Sequence, residues 1–225
     1  MEFSSNINTI LGTSDYLEYL RGKEATLLLS LSSTKTLEIK GITQAGVPGL
    51  IHLTPTLDSE FVCSGEVRSL DNLAETPKGV PTPALITRAV HVLKPFKNIE
   101  LLDLGMSQKP KLDYFNVHEF GLTPSEAIHK GAQINAMEVF QKGVEFGKSY
   151  ECKDDYIILG ESVPAGTTTA YAMTLAMGYN CDGKFSSSFK DVPNSIKNQT
   201  IQKALDNIKD GDDLFEKIGK VADNM

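Results

Sequence analysis

The chain has 225 residues, 40% of them hydrophobic, enough to bury a sizeable core within a single domain. Its net charge of −7 and pI near 5.2 argue against a nucleic-acid footprint, which would be a basic patch or stripe. No run of about eighteen apolar residues occurs, so no membrane span is expected, and residues 1–20 lack the apolar stretch of a secretory signal. Cys63, Cys152 and Cys181 are an odd number at wide spacing, which fits reduced thiols in a cytoplasmic protein better than a disulfide frame. His52, His91, His118 and His129 show no metal-ligand spacing, and neither a metal nor a cofactor is expected.

In chain order, Ile7, Ile10, Leu11, Leu17 and Leu20 form a short helical stripe. The run ATLLLSL at 25–31 predicts a buried strand. Shorter apolar runs at 36–39, 50–53 and 61–67 predict further strands, with glycine and proline turns between them. Three prolines make 75–83 a loop, and Pro83 opens a helix over 84–93 with Thr82 as its cap. Arg88 in that helix is either a solvated charge or an anion partner. The run NIELLDL at 98–104 predicts a second parallel strand ending at Gly105. Ligands of open α/β sheets sit outside the carboxyl ends of strands, so Asp103 and Gly105 are site candidates; the plainer alternative is a loop-capping aspartate.

A capping box of Thr123 and Glu126, with Pro124 at the first helical position, predicts the longest helix over 123–149. Helix, strand, helix, strand, helix between 83 and 178 is the order of a doubly wound α/β fold, a mainly parallel sheet flanked by helices. The expected organisation is a single domain, 1–225, with a strand-rich opening segment at 1–75 and a nucleotide-binding core at 76–225. Pro193 predicts a helix to about Ile208, and Asp212 or Asp213 another to Ala222. Such a sheet normally has more strands than are legible here, so the expectation is a fragment, or a fold completed by a partner.

One stretch reads as a site. Tyr156–Leu159 predicts a buried strand ending at Gly160, and residues 161–166 a turn-rich loop in which Gly166 permits a positive φ or a close approach. Thr167, Thr168 and Thr169 then open an apolar helix that Gly178 terminates. Strand, glycine loop and helix aim unpaired N–H groups and a positive dipole end at an anion, and three hydroxyls can each donate to a phosphate oxygen. The plainer alternative is a threonine cap with β-branched filler. Five residues separate Gly160 from Gly166 and Thr167 stands where a P-loop has lysine, so this is not that motif. Nor is it G-x-G-x-x-G. Glu161 beside a phosphate is reconciled if it takes a ribose hydroxyl, which points to a sugar phosphate.

Read together, GVPTPALITRA (79–89), LLDLGMSQKP (101–110), LGESVPAGTTTA (159–170) and GKFSSS (183–188) resemble nicotinate-nucleotide:dimethylbenzimidazole phosphoribosyltransferases, in their archaeal and cyanobacterial form. The resemblance covers essentially the whole chain, and the third stretch is the specific one. It implies a usually dimeric α/β enzyme of cobalamin lower-ligand synthesis. Ribose phosphate passes from nicotinate mononucleotide to an aromatic base of the benzimidazole type, and nicotinate is released. Position by position it implies that Glu161, Gly166, Thr167 and Thr168 hold phosphate and ribose, with Thr169 beside them. Lys184, Ser186 and Ser187 fall in a second phosphate-contacting loop, and Asp103 and Gly105 line the same pocket. Bacterial members read G-E-M-G-I-G-N-T-T where this chain has Ser162-Val163-Pro164-Ala165 and Thr167, which leaves the acceptor base open. The family's catalytic carboxylate is expected beyond Met225, so no catalytic residue is assigned. The alternative is a non-catalytic nucleotide- or phosphate-binding protein.

Overall fold

A computed structural model describes residues 12, 15–70, 82–113, 115–186 and 194–225. In chain order its elements are α1 (Asp15–Leu20), β1 (Ala25–Leu31), α2 (Thr54–Ser64), α3 (Ala84–Leu93), β2 (Asn98–Asp103) and β3 (Asn116–Glu119). Then follow α4 (Ala136–Ser149), β4 (Tyr156–Ser162), α5 (Gly166–Ala176), α6 (Asn194–Leu205) and α7 (Leu214–Val221). The four strands are parallel and ordered β3-β2-β1-β4. Leu31 at the end of β1 stands opposite Asp103 of β2 and Ser162 of β4.

This is a doubly wound sheet. The chain steps outward from β1 through β2 to β3, then returns to lay β4 on the other side of β1. The reversal falls between β1 and β4, and at such a switch point the connections diverge and leave a crevice at the carboxyl ends. Every residue of β1 is buried, because the strand is central and its apolar run serves both faces. Leu27, Leu29 and Leu31 pack with Leu101 of β2 and Val62 of α2 on one face. Each such leucine contributes about 1.5–3 kcal/mol by leaving water. A second apolar cluster joins Ile128, Ala172 of α5, Ile201 and Ala204 of α6, and Val221 of α7.

Several sequence expectations are corrected. The strands expected at 36–39, 50–53 and 61–67 are helical: 3-10 turns at Lys35–Glu38 and Ile51–Leu53, and the α2 helix. Pro55 sits in the first turn of α2, and Gly65 closes it at φ 81° with its N–H on the Phe61 carbonyl. Runs this short carry the same apolar signal in either conformation. The helix expected over 123–149 begins only at Ala136, where the Asn135 side chain accepts the Glu138 N–H. Ahead of it, Ser125 pairs through its backbone with Ser33 and Lys35, and the Glu126 carboxylate takes Lys35 rather than the Thr123 N–H. Gly131 at φ 79° and Gln133 at φ 57° exclude helix there.

Strand β3 is four residues, Asn-Val-His-Glu, too short and polar to read from pattern. Arg88 is structural. Its guanidinium donates to the carbonyls of Val62 and Cys63, 3.1 Å each, and so caps the end of α2. The Thr82 hydroxyl accepts the Ala84 N–H as expected. Ile7, Ile10, Leu11 and the loop expected over 75–83, except Thr82 and Pro83, lie outside the described residues, as does Pro193.

Candidate functional site

Strand β4 runs further than its apolar stretch, so Gly160, Glu161 and Ser162 belong to it rather than to a loop. The turn into α5 is then only Val163-Pro164-Ala165. Its positive φ falls on Ala165, at 66°, and not on Gly166. Gly166 is required for a different reason: a Cβ there would lie 2.5 Å from Cγ1 of Val163. Helix α5 starts with no side-chain cap, so no threonine caps it; the turn itself closes the helix start, the Gly166 N–H donating to the Val163 carbonyl (3.4 Å) and the Thr168 N–H to the Ala165 carbonyl (2.9 Å). Gly178, at φ 86°, ends it as expected.

The three threonines have three different fates. Thr167 is exposed, and its hydroxyl accepts a bond from Lys197 Nζ at 2.9 Å. Thr168 is wholly buried and its hydroxyl has no partner among the described residues. Thr169 is buried too, and its hydroxyl donates to Asp223 Oδ2 at 2.6 Å. Only Thr167 therefore offers a hydroxyl to solvent. Replacing Thr168 by valine keeps its shape and removes an unpaired hydroxyl. It is expected to raise stability by about 1 kcal/mol in urea denaturation.

Lys197, from α6, is the group that sequence reasoning missed. It is 6% exposed, and besides Thr167 its ammonium contacts the Ser186 carbonyl at 3.4 Å. Burial pushes its pKa down, and it makes no ion pair with a carboxylate among the described residues. A buried cation without an anion is costly unless a ligand supplies one. The signal was periodicity. Ile201 and Ala204 mark the inward stripe of α6, and stepping back four residues from Ile201 lands on Lys197. Beside it is a cavity of about 280 Å³, walled by Tyr171, Asp182, Phe185 and Asn198, with the Tyr171 and Phe185 rings stacked at 5.1 Å.

The remaining candidates divide. Lys197 brings Thr167 and Ser186 together. Lys184 is exposed, and Ser187 lies outside the described residues. Asp103 serves its own loop: one carboxylate oxygen accepts the N–H groups of Gly105 (3.0 Å) and Met106 (2.9 Å). Gly105, at φ 103°, is a close approach, for a Cβ there would stand 2.7 Å from the Thr123 carbonyl. Asn224 donates to the carbonyls of Leu104 and Thr123, so residues 223–224 tie the end of β2 to the start of α5. Glu161 is exposed beside Asp223. Burial, opposed by the Thr169 bond, raises the Asp223 pKa, and the charge of Glu161 raises it further.

Around the β1–β4 crevice two more hydroxyls, of Ser32 and Ser125, are buried without partners among the described residues. Ser32 N–H bonds the Ser162 carbonyl, and Ser125 N–H bonds the Ser33 carbonyl, so both belong to the strand ends. Asp58 of α2 is held there by the hydroxyls of Ser162 (2.7 Å) and Thr82 (2.8 Å). Burial pushes its carboxyl pKa up against those two bonds. No group of histidines, cysteines and carboxylates among the described residues is placed to hold a metal, and no helix among them is long and apolar enough to cross a membrane.

No family model matches the chain. Among curated proteins it is 33% identical over 211 residues to a UPF0284 protein of Saccharolobus islandicus (strain L.S.2.15), covering 91% of this chain and 58% of that protein. It is 34% identical over 207 residues to the UPF0284 protein of Saccharolobus solfataricus, covering 89% and 57%. The chain resembles the UPF0284 proteins. It spans less than three-fifths of their length. Among solved structures, a nicotinate-nucleotide-dimethylbenzimidazole phosphoribosyltransferase from Thermus thermophilus superposes with a TM-score of 0.60 at 13% identity, over 89% of this chain and 54% of that one. A structure of CobT from the same organism gives the same TM-score and identity over 55% of its length. At that identity the likeness is one of fold, and it places this chain's doubly wound sheet in the same architecture.

Proposed function

We propose that this chain forms the nucleotide-binding part of a phosphoribosyltransferase that moves ribose phosphate from nicotinate mononucleotide to an aromatic base of the benzimidazole type. The observation that carries this is the buried Lys197 ammonium, held against Thr167 at the uncapped start of α5 with no carboxylate partner among the described residues. An ammonium and a hydroxyl beside the positive dipole end of a helix suit the charge and acceptor oxygens of a phosphate monoester. Glu161, exposed at the end of β4, is assigned the ribose hydroxyls. Gly166 lets the chain turn tightly below the phosphate, and Lys184, Ser186 and Ser187 are assigned a second set of phosphate contacts. Asp103 and Gly105 shape the neighbouring strand end. Thr168 and Thr169 act from beneath, Thr169 by fixing Asp223.

Fixing the phosphate anchors the ribose, so that C1′ is held where the departing nicotinate and the incoming ring nitrogen meet. The base must lose its azole proton, and no residue of this chain is assigned to receive it. Incubating the protein with nicotinate mononucleotide and dimethylbenzimidazole tests the proposal. Base-dependent release of free nicotinate is expected. Mononucleotide bound without turnover would leave only the nucleotide-binding part of the proposal standing, and absence of both would overturn it.

A further inference from the structure

Strand β4 ends in two polar residues that serve opposite faces of the sheet, because successive side chains of a strand alternate. Glu161 stands beside Asp223, which the Thr169 hydroxyl ties to α5, so it belongs to the face that carries the phosphate site. Ser162 lies opposite Leu31 in register and donates its hydroxyl to Asp58 Oδ2 on α2, at 2.7 Å. The other oxygen, Oδ1, accepts the Thr82 hydroxyl at 2.8 Å, just ahead of α3. Asp58 is half-buried rather than sealed, and it makes no ion pair among the described residues. Glu60, on the same helix, shows the contrast: it is fully buried and takes three main-chain N–H groups and a hydroxyl. A carboxylate has about four acceptor positions, and on Asp58 hydroxyls of the described residues fill two of them.

We propose, resting on the phosphoribosyl-transfer reading above, that Asp58 selects and orients the acceptor base. Its carboxylate accepts the ring N–H of an azole lying on the α2 side of the strand ends. The other ring nitrogen, with its lone pair, is thereby turned toward C1′ of a ribose held from the α5 side. A donor anchored on one face of the sheet and an acceptor held on the other meet above the strand ends, where ligands of such sheets sit. A half-buried carboxylate with no cation beside it gains most from a donor that arrives with the ligand. Burial pushes the Asp58 pKa up, which makes its carboxylate a stronger hydrogen-bond acceptor. The acceptor class follows: a ring with one N–H and one unsubstituted ring nitrogen, as in a benzimidazole. A ring whose N–H is methylated leaves the carboxylate unmatched. Asp58 is assigned the choice and orientation of the base, not the final receipt of its proton.

The test is calorimetric titration with dimethylbenzimidazole and with its N-methylated derivative, each with and without nicotinate mononucleotide present. The unmethylated base should bind at least about tenfold more tightly, the worth of a hydrogen bond to a charged group. Asp58→Asn should bring the two affinities together by weakening the unmethylated base alone. A preference that comes from the bulk of the methyl group would survive that change. The comparison of the two bases on the unaltered protein needs no variant, so it decides even if Asp58→Asn does not fold. Equal affinities, a preference that Asp58→Asn leaves intact, or no binding of either base would overturn the assignment. Mononucleotide binding alongside equal base affinities would sink the role of Asp58 and leave the phosphate site standing. Discrimination between the bases without mononucleotide binding would uphold Asp58 and sink the phosphate site instead.

Discussion

Replacing Lys197 with methionine is expected to weaken nicotinate mononucleotide binding by roughly 10- to 100-fold, the worth of a charge-assisted hydrogen bond. The same change should make the unliganded protein more stable. Methionine fills a similar volume, and among the described residues the buried ammonium has no carboxylate to offset its burial. The pH dependence gives a second signature. The folded-state pKa of Lys197 lies below its unfolded value, so between the two the unfolded chain holds more protons. Stability therefore rises with pH across that window. In the methionine variant that part of the rise should vanish. A merely structural lysine would show the opposite pairing, with stability lost and affinity unchanged.

Glu60→Ala should cost about 3–5 kcal/mol, measured by urea denaturation, for Glu60 is a fully buried carboxylate around which two loops are built. Its oxygens accept the N–H groups of Arg68 (2.8 Å), Ser69 (2.9 Å) and Lys111 (2.8 Å), and the Ser69 hydroxyl at 2.6 Å. Removing the carboxylate orphans three main-chain donors at once, each worth about 1–3 kcal/mol when left unpaired. Burial alone would raise the Glu60 pKa, but those four bonds outweigh it and hold the carboxyl below its ordinary range. The sign follows from that depression. The contribution is fully present above the unfolded glutamate pKa and is lost as pH falls through the folded one. The gap between wild type and Glu60→Gln should therefore be widest near neutrality and close in acid.

Asp58, earlier on the same α2, has the opposite linkage. Its pKa is raised, so its stabilising contribution belongs to acid pH and fades as pH rises through the folded value. The two carboxylates differ because four donors converge on Glu60 and only two hydroxyls on Asp58.

The parts of the fold legible in the sequence are those where local and tertiary preferences agree. The apolar run 25–31 became the central strand at the expected residues, and 98–103 followed, because buried parallel strands need side chains that suit both faces. The strand–turn–helix order of 156–176 was legible too. The strand expected to be buried, however, lies exposed, with Ile157 43%, Ile158 37% and Leu159 71% open, because β4 is an edge strand with β1 on one side alone among the described residues. What failed was decided by distant partners. Residues 123–135 carry a good capping box, yet Lys35 takes Glu126 and the strand end takes Ser125, so the helix waits for Asn135. Ala165 adopts the left-handed conformation that glycine would occupy more cheaply, a choice no local rule selects. Lys197 reads as solvent-facing by residue type and is buried by position.

The most direct test of the phosphate grip is calorimetric titration of the protein with nicotinate mononucleotide and, in parallel, with nicotinate riboside, which lacks only the phosphate. On the proposed function the mononucleotide should bind at least about 100-fold more tightly, since the ammonium, the hydroxyl and the helix dipole would lose their anion in the riboside. Equal affinities would mean that Lys197 and the start of α5 serve the fold alone.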